Sequence, residues 1–160
     1  MTLRGKLEGE AEIKATTADV LHDIVKNKPH HISDFASHFV RGVDLVEGEH
    51  GKLGSIAIWK YTLEGKPMVA KKTLEEIDEE KKFVKYRAIE GDVMKEYKSI
   101  TGSCEVIPKD SKTCIAKFTF EYEKMNVSVP EPSALVDAWI DATKHIDAQH
   151  HGIIEQTSIK

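Results

Sequence analysis

The chain has 160 residues, 40% of them hydrophobic, with 23 lysines and arginines against 27 aspartates and glutamates for a net charge of −4. That is the length of one domain able to bury a real core, and the interspersed signs leave no basic stripe for nucleic acid. No apolar run approaches a membrane span, and the N-terminus MTLRGKLEGEAEIK lacks an apolar core of signal-peptide length, so a cytoplasmic protein with reduced Cys104 and Cys114 is expected.

From Lys6 to Lys14 the pattern alternates, Leu7, Gly9, Ala11 and Ile13 on one side and Glu8, Glu10 and Glu12 on the other. This predicts a half-buried antiparallel strand. Thr16 or Thr17 caps a short helix carrying Val20, Leu21, Ile24 and Val25, which Pro29 ends. Ile32, Phe35, Ala36 and Phe39 fall at i, i+3, i+4 and i+7 and predict a second short helix.

Strands then follow with few breaks: Val43 to Glu47, Ile56 to Leu63, Lys66 to Ile77, Lys82 to Ile89, Lys95 to Ile107 and Lys112 to Glu123. Glu64-Gly65, Glu90-Gly91-Asp92 and PKDS mark the turns. Seven strands joined mostly by hairpins give an antiparallel sheet. Pro130 to His151 reads as a helix of about twenty residues, longer than the globular average. Ser133 can cap it, and Gly152 is a plausible stop. Leu135, Trp139, Ala142, Thr143 and Ile146 share its apolar face, while Asp137, Asp141, Lys144 and Asp147 read as solvated. The class is α+β: a seven-stranded curved antiparallel sheet wrapped around a long C-terminal helix, with two short helices between strands 1 and 2.

The alternation also names the side chains aimed at the helix. Ala57, Trp59 and Tyr61 form one inner set, Val84, Tyr86 and Ala88 another, and Met68 and Ala70 a third. Ile100, Gly102 and Cys104 follow, then Cys114, Ala116, Phe118, Phe120 and Tyr122. Small residues at 57, 70, 88, 102 and 116 leave room between sheet and helix, and an internal void of any size is normally occupied or functional.

These features resemble the plant major latex proteins of the Bet v I superfamily, the fold of the birch pollen allergen and the class-ten pathogenesis-related proteins. The residues carrying the match are GKLEGEAEIKA (Gly5 to Ala15), KPHHI (Lys28 to Ile32), GVDLVEGEHGKLGSI (Gly42 to Ile56), IEGDVMKEYKS (Ile89 to Ser99) and FEYEKMN (Phe120 to Asn126). They run through the whole chain in order, so residues 1–160 are expected to form a single ligand-binding domain. The resemblance implies a large cavity between sheet and helix that takes up apolar small molecules. It departs in the glycine loop, where relatives usually carry a tryptophan and this chain has His50.

Other chemistry fits less well. The loop EGEHGKLGS lacks the Gly-Lys-Ser/Thr run of a phosphate loop, and Glu47 and Glu49 would repel an anion. The pairs His30-His31 and His150-His151 cannot both face one ion from a regular helix, and no carboxylate is expected beside His145, so no metal is assigned. Cys104 and Cys114 are expected nearly opposite across the PKDS hairpin, as small buried hydrophobes or an oxidisable pair. Catalysis needs a titratable group in an apolar pocket, and only Lys72 or Lys98, if inward, would provide one.

The expected function is to bind and carry or sequester a fatty acid, sterol or planar apolar molecule in plant defence or stress response. An enzyme acting on an apolar carbonyl or amine in the same cavity is the alternative. The candidate wall comprises Ile24 and Phe35 from the short helices, Ala57, Trp59, Tyr61, Met68, Ala70, Val84, Tyr86, Ala88, Ile100, Gly102, Ala116, Phe118 and Phe120 from the sheet, and Leu135, Trp139, Ala142, Thr143 and Ile146 from the long helix. Tyr61, Tyr86, Tyr122 and Thr143 are the candidate polar contacts. The only partner implied is the apolar small molecule, with no cofactor, no nucleic acid and no membrane insertion, on a monomer that could dimerise weakly.

Overall fold

A computed structural model describes the backbone of residues 3–159 and the side chains of residues 3–149. The elements are β1 (Arg4–Ile13), α1 (Ala18–Asn27), a 3-10 turn at Pro29–His31, and the single-turn helix α2 (Ile32–Phe35). Then come β2 (Val40–Glu47), β3 (Ile56–Leu63), β4 (Lys66–Asp78), β5 (Phe83–Gly91), β6 (Tyr97–Pro108), β7 (Cys114–Lys124) and α3 (Ser133–Ile159). All seven strands pair antiparallel in the order β1-β7-β6-β5-β4-β3-β2. The pair α1 and α2 therefore carries the chain from one edge of the sheet to the other, and every later strand joins its neighbour by a hairpin.

Local chemistry explains most boundaries. Thr17 caps α1, its hydroxyl accepting from the Val20 amide at 3.3 Å. Gly91, with φ +118°, ends β5 where an added Cβ would strike the Val69 carbonyl and Ala70. Asp92, in the 3-10 turn before β6, accepts from the Val69 amide at 2.8 Å, so that turn replaces the expected start of β6.

Several expectations change. The second helix is one turn only: Ala36 has φ −140°, and the Phe39 and Val40 amides both donate to the Ala36 carbonyl. Phe39 still reaches the core, from a turn, which is how a helical spacing of apolar residues arose without a helix. Ser133 is the first residue of α3 and not its cap, and the helix runs on through Gly152, because a lone glycine weakens a helix without stopping it. The side chains of His150 and His151 lie outside the described residues. The cysteines are not opposite one another: Cys104 registers with Phe118 and Cys114 with Pro108, because the hairpin loop is longer than PKDS. Both are free, buried thiols.

α3 packs on β1 through Val136 and Ile140, a contact that Gly9 makes possible, since a Cβ there would run into both side chains. Trp139, Ala142 and Ile146 face the core beside them and are buried. Asp147 is not the solvated residue its position suggested. One carboxylate oxygen accepts from the Lys14 amide at 2.8 Å, and the other from the Ala15 amide at 2.8 Å, the Thr16 amide at 2.9 Å and the Thr16 hydroxyl at 3.1 Å. The charge thus gathers the donors at the β1–α1 corner, where Thr16 is fully buried.

Asp147→Ala leaves those donors without an acceptor and should destabilise the fold by about 3 kcal/mol. Asp147→Asn, which keeps one accepting oxygen, should lose roughly half of that. Urea unfolding of the two variants checks the ranking, and equal stability of all three proteins would show the corner to be satisfied by solvent.

Candidate functional site

A cavity lies between the concave face of the sheet and α3. Its wall comes from Val25 on α1, Phe39 and Val40 at the start of β2, Trp59 and Tyr61 on β3, and Ala70 and Lys72 on β4. Val84, Tyr86 and Ala88 on β5 and Val93 in the turn continue it, followed by Ile100, Gly102, Ser103 and Cys104 on β6, Phe118 and Phe120 on β7, and Leu135 and Trp139 on α3. The atom-free space measures about 780 Å³ with its open mouth included, but only about 60 Å³ is room in which the centre of a water molecule can move.

Aromatic rings take up the rest. The Trp139 ring lies 5.2 Å from Phe39, 5.9 Å from Trp59 and 6.0 Å from Phe118, and Trp59 lies 5.5 Å from Tyr86. Trp139 therefore borders the void on one side and packs edge-on or stacked on the others. A ligand of any length would have to displace these rings.

The polar groups inside are few. Lys72 places its ammonium 4.4 Å from the centre of the Trp59 ring and 5.8 Å from that of Trp139. Burial pushes its pKa down to about 8, and no ion pair or hydrogen bond holds it among the described residues. Burial, with the charges of Asp92 and Glu96, pushes the Tyr61 hydroxyl up to about 12, and burial with Cys114 and Glu105 pushes the Cys104 thiol up to about 12. Burial also raises Tyr86, whose hydroxyl donates to the Val25 carbonyl at 2.8 Å and so pins the end of α1 to β5. The indole N–H of Trp59 is buried without a partner.

Twelve of the candidate wall residues meet around this space: Trp59, Tyr61, Ala70, Val84, Tyr86, Ala88, Ile100, Gly102, Phe118, Phe120, Leu135 and Trp139. The other eight sit elsewhere. Ile24, Ala57, Ala116, Ala142 and Ile146 are buried in packed core, and Phe35 and Met68 are half-buried against it. Thr143 turns its hydroxyl back to the Trp139 carbonyl at 2.7 Å within its own helix. Tyr122, the remaining polar candidate, covers Gly5 and meets Tyr97 at 5.7 Å. The long helix follows the void only over its first turns, so its later apolar positions pack directly.

Val25, Phe39, Val40, Lys72, Val93, Ser103 and Cys104 complete the wall without having been assigned to it. Alternation had set Cys104 on the inner face with Ile100 and Gly102, and Lys72, considered as inward, alternates with Ala70 and Leu74. Lys98, the other lysine considered, is exposed and pairs with Glu123 at 3.7 Å.

Among the described residues, His38, Asp141 and His145 are the group whose donor atoms lie close enough to hold a cation, within 4.8 Å of one another. His145 does have a carboxylate four residues earlier, contrary to expectation. All three are exposed, with His38 Nε2 2.6 Å from Asp141 and His145 Nδ1 donating to the Asp141 carbonyl at 2.9 Å. The glycine loop docks on the end of α1, Gly51 lying where a Cβ would collide with Asn27. His50 stacks on His30 at 4.6 Å, and His30 meets His31 edge-on at 4.3 Å. Desolvation lowers the pKa of His30, with help from His31 and His50, and desolvation lowers that of His50.

The family model of the pathogenesis-related protein Bet v 1 family matches residues 2–150. The chain belongs to that family. It is 41% identical over 147 residues to MLP-like protein 43 of Arabidopsis thaliana, covering 91% of this chain and 92% of that one. Major latex protein 146 of Papaver somniferum is 32% identical over 149 residues, 91% of each chain. The crystal structure of ginseng major latex-like protein 151 from Panax ginseng superposes with a TM-score of 0.88 at 38% identity, over 92% of this chain and 98% of that one. Norcoclaurine synthase of Thalictrum flavum shares the Bet v 1 fold, with a TM-score of 0.74 at 20% identity over 94% of this chain and 98% of its own. No helix among the described residues is long and apolar enough to cross a membrane.

Histidines whose folded pKa is lowered favour folding above their ordinary value of 6.5 and lose that contribution as pH falls below it. Acidification from neutrality should therefore loosen the stacked loop, read as faster amide exchange across Glu47–Ser55. A double His30→Asn, His50→Asn variant should show no such step.

Trp139→Ala should cost about 3 kcal/mol, the low end for truncating a buried tryptophan, because one side of the ring already borders open space. The same change should improve affinity for bulky apolar ligands relative to slender ones. Paired unfolding and binding measurements check both parts, and unchanged selectivity would place the cavity elsewhere.

Proposed function

We propose that this chain binds and carries or sequesters apolar small molecules in the cavity between its sheet and α3, acting as one cytoplasmic domain in plant defence or stress response. The observation that supports this reading is the wall itself: aliphatic and aromatic side chains from six strands and two helices, broken by only a few polar groups. Fatty acids, sterols and planar hydrophobes are the ligand classes such a wall accepts. Family membership supports the same class of activity.

An enzyme of specialised metabolism acting on an apolar carbonyl or amine is the second reading, and Lys72 is the observation that favours it. A half-buried amine lining the cavity with its pKa lowered to about 8 is a fair nucleophile toward a carbonyl carbon. Against it, no carboxylate or imidazole stands among the lining residues to move the protons of a condensation.

Native mass spectrometry of the purified protein, with displacement of an apolar fluorophore, tests the proposal. A carrier should retain lipid-sized ligands or bind the dye with micromolar or better affinity. A folded chain that does neither overturns the carrier reading. Borohydride treatment with an aromatic aldehyde separates the two readings, since an enzyme should give a single-lysine adduct together with turnover.

A further inference from the structure

The polar inventory of the cavity is one-sided. The Lys72 ammonium carries charge and three donors, has no ion pair among the described residues, and rests only on the faces of Trp59 and Trp139. Trp59 is 2% exposed and keeps its indole N–H without an acceptor. Tyr61 adds a hydroxyl, since burial keeps it protonated far above neutrality. The facing groups are neutral: the Tyr86 hydroxyl donates to the Val25 carbonyl, the Ser103 hydroxyl donates to the Thr119 carbonyl at 3.4 Å, and Cys104 stays a thiol, so the lining offers lone pairs but no anion. Lys72 registers with Ala57 on β3 and Ala88 on β5, so neither flanking strand sets a charge directly beside it. From α3 the lining residues are Leu135 and Trp139, and from α1 Val25.

A half-buried cation turned into an apolar cavity without a counter-ion is costly, and the faces of two indoles offset only part of that cost. What the lining lacks is an anion. We propose that the cavity is built for an amphipathic carboxylate, whose anionic head pairs with Lys72 beside the Trp59 N–H while its apolar body lies among Phe118, Phe120 and Trp139. This rests on the carrier reading and narrows it. The ligand class becomes a long-chain or aromatic acid, with neutral sterols, alcohols and esters bound more weakly.

The pH behaviour follows from the sign of the Lys72 shift. In the empty cavity burial lowers its pKa to about 8, and a bound carboxylate raises it, so binding favours the protonated amine. Carboxylate affinity is then level below that pH and falls as pH rises through it, by up to about tenfold per unit. Tyr61, Tyr86 and Cys104, the other titratable groups lining the cavity, remain protonated through that range.

Titration of the whole chain with laurate and with 1-dodecanol, followed by tryptophan fluorescence and calorimetry, tests the inference. Laurate should bind at least about tenfold more tightly than dodecanol near pH 6.5, and this preference should vanish near pH 10. Lys72→Met, which keeps the volume and removes an unpaired charge from the cavity wall, should fold at least as stably, lose the preference for laurate, and bind dodecanol as well as before or better. If that variant does not fold, the preference and its pH dependence in the native chain decide alone. Equal binding of laurate and dodecanol by the native chain, or an undiminished laurate preference in a folded Lys72→Met protein, overturns the carboxylate assignment and leaves the carrier reading intact. Binding of neither molecule by the folded native chain overturns both.

Discussion

One carboxylate midway along α3 ties the helix to the place where β1 turns into α1. Asp147 gathers the amides of Lys14, Ala15 and Thr16, which the turn would otherwise leave without acceptors. Two turns earlier, Val136 and Ile140 press against the bare backbone of Gly9. The helix is thus held close to one edge of a curved sheet. The sheet curls away from that line of contact, so the opening of the cavity is a consequence of where the helix is fastened.

The same geometry explains why the cavity divides the helix. Leu135 and Trp139 look into open space, while Ala142 and Ile146 on the following turns are completely enclosed. Small side chains do both jobs. Ala142 and Ala116 allow close approach where helix and sheet pack, whereas Ala70, Ala88 and Gly102 leave space where they do not. A small residue opens a void only where the backbone opposite stands off, a condition that composition cannot express.

The wall is apolar in area and one-sided in its polar chemistry. Rings crowd the interior, and the one charged group among the lining residues is a cation. The clustered indoles give Lys72 a setting that stabilises its charge only partly, so the amine sits between two protonation states close to physiological pH. That balance links the packing of Trp59 and Trp139 to whatever chemistry the cavity prefers. The His30–His50 stack joins the glycine loop to the turn after α1, and the lowered pKa values of both rings make that contact responsive to acid.

Much of this was written in short-range patterns. Strict alternation, hairpin turns and a long amphipathic stretch were enough to predict seven antiparallel strands, the chain order and the α+β class, because strand and helix periods act locally. Inner-face residues on β3, β5, β6 and β7 followed from the same alternation. What the pattern could not determine is which inward residues touch the void and which are closed over, since that depends on the distance between α3 and the sheet. It misread Asp147 for the same reason: its position on the helix marks it as solvated, and only the arrival of a turn 131 residues away in sequence gives it partners. Lys72 was the reverse case, a residue type usually solvated that strand register carried inside. Periodicity is set by neighbours along the chain. Partnership across the cavity is set by tertiary packing.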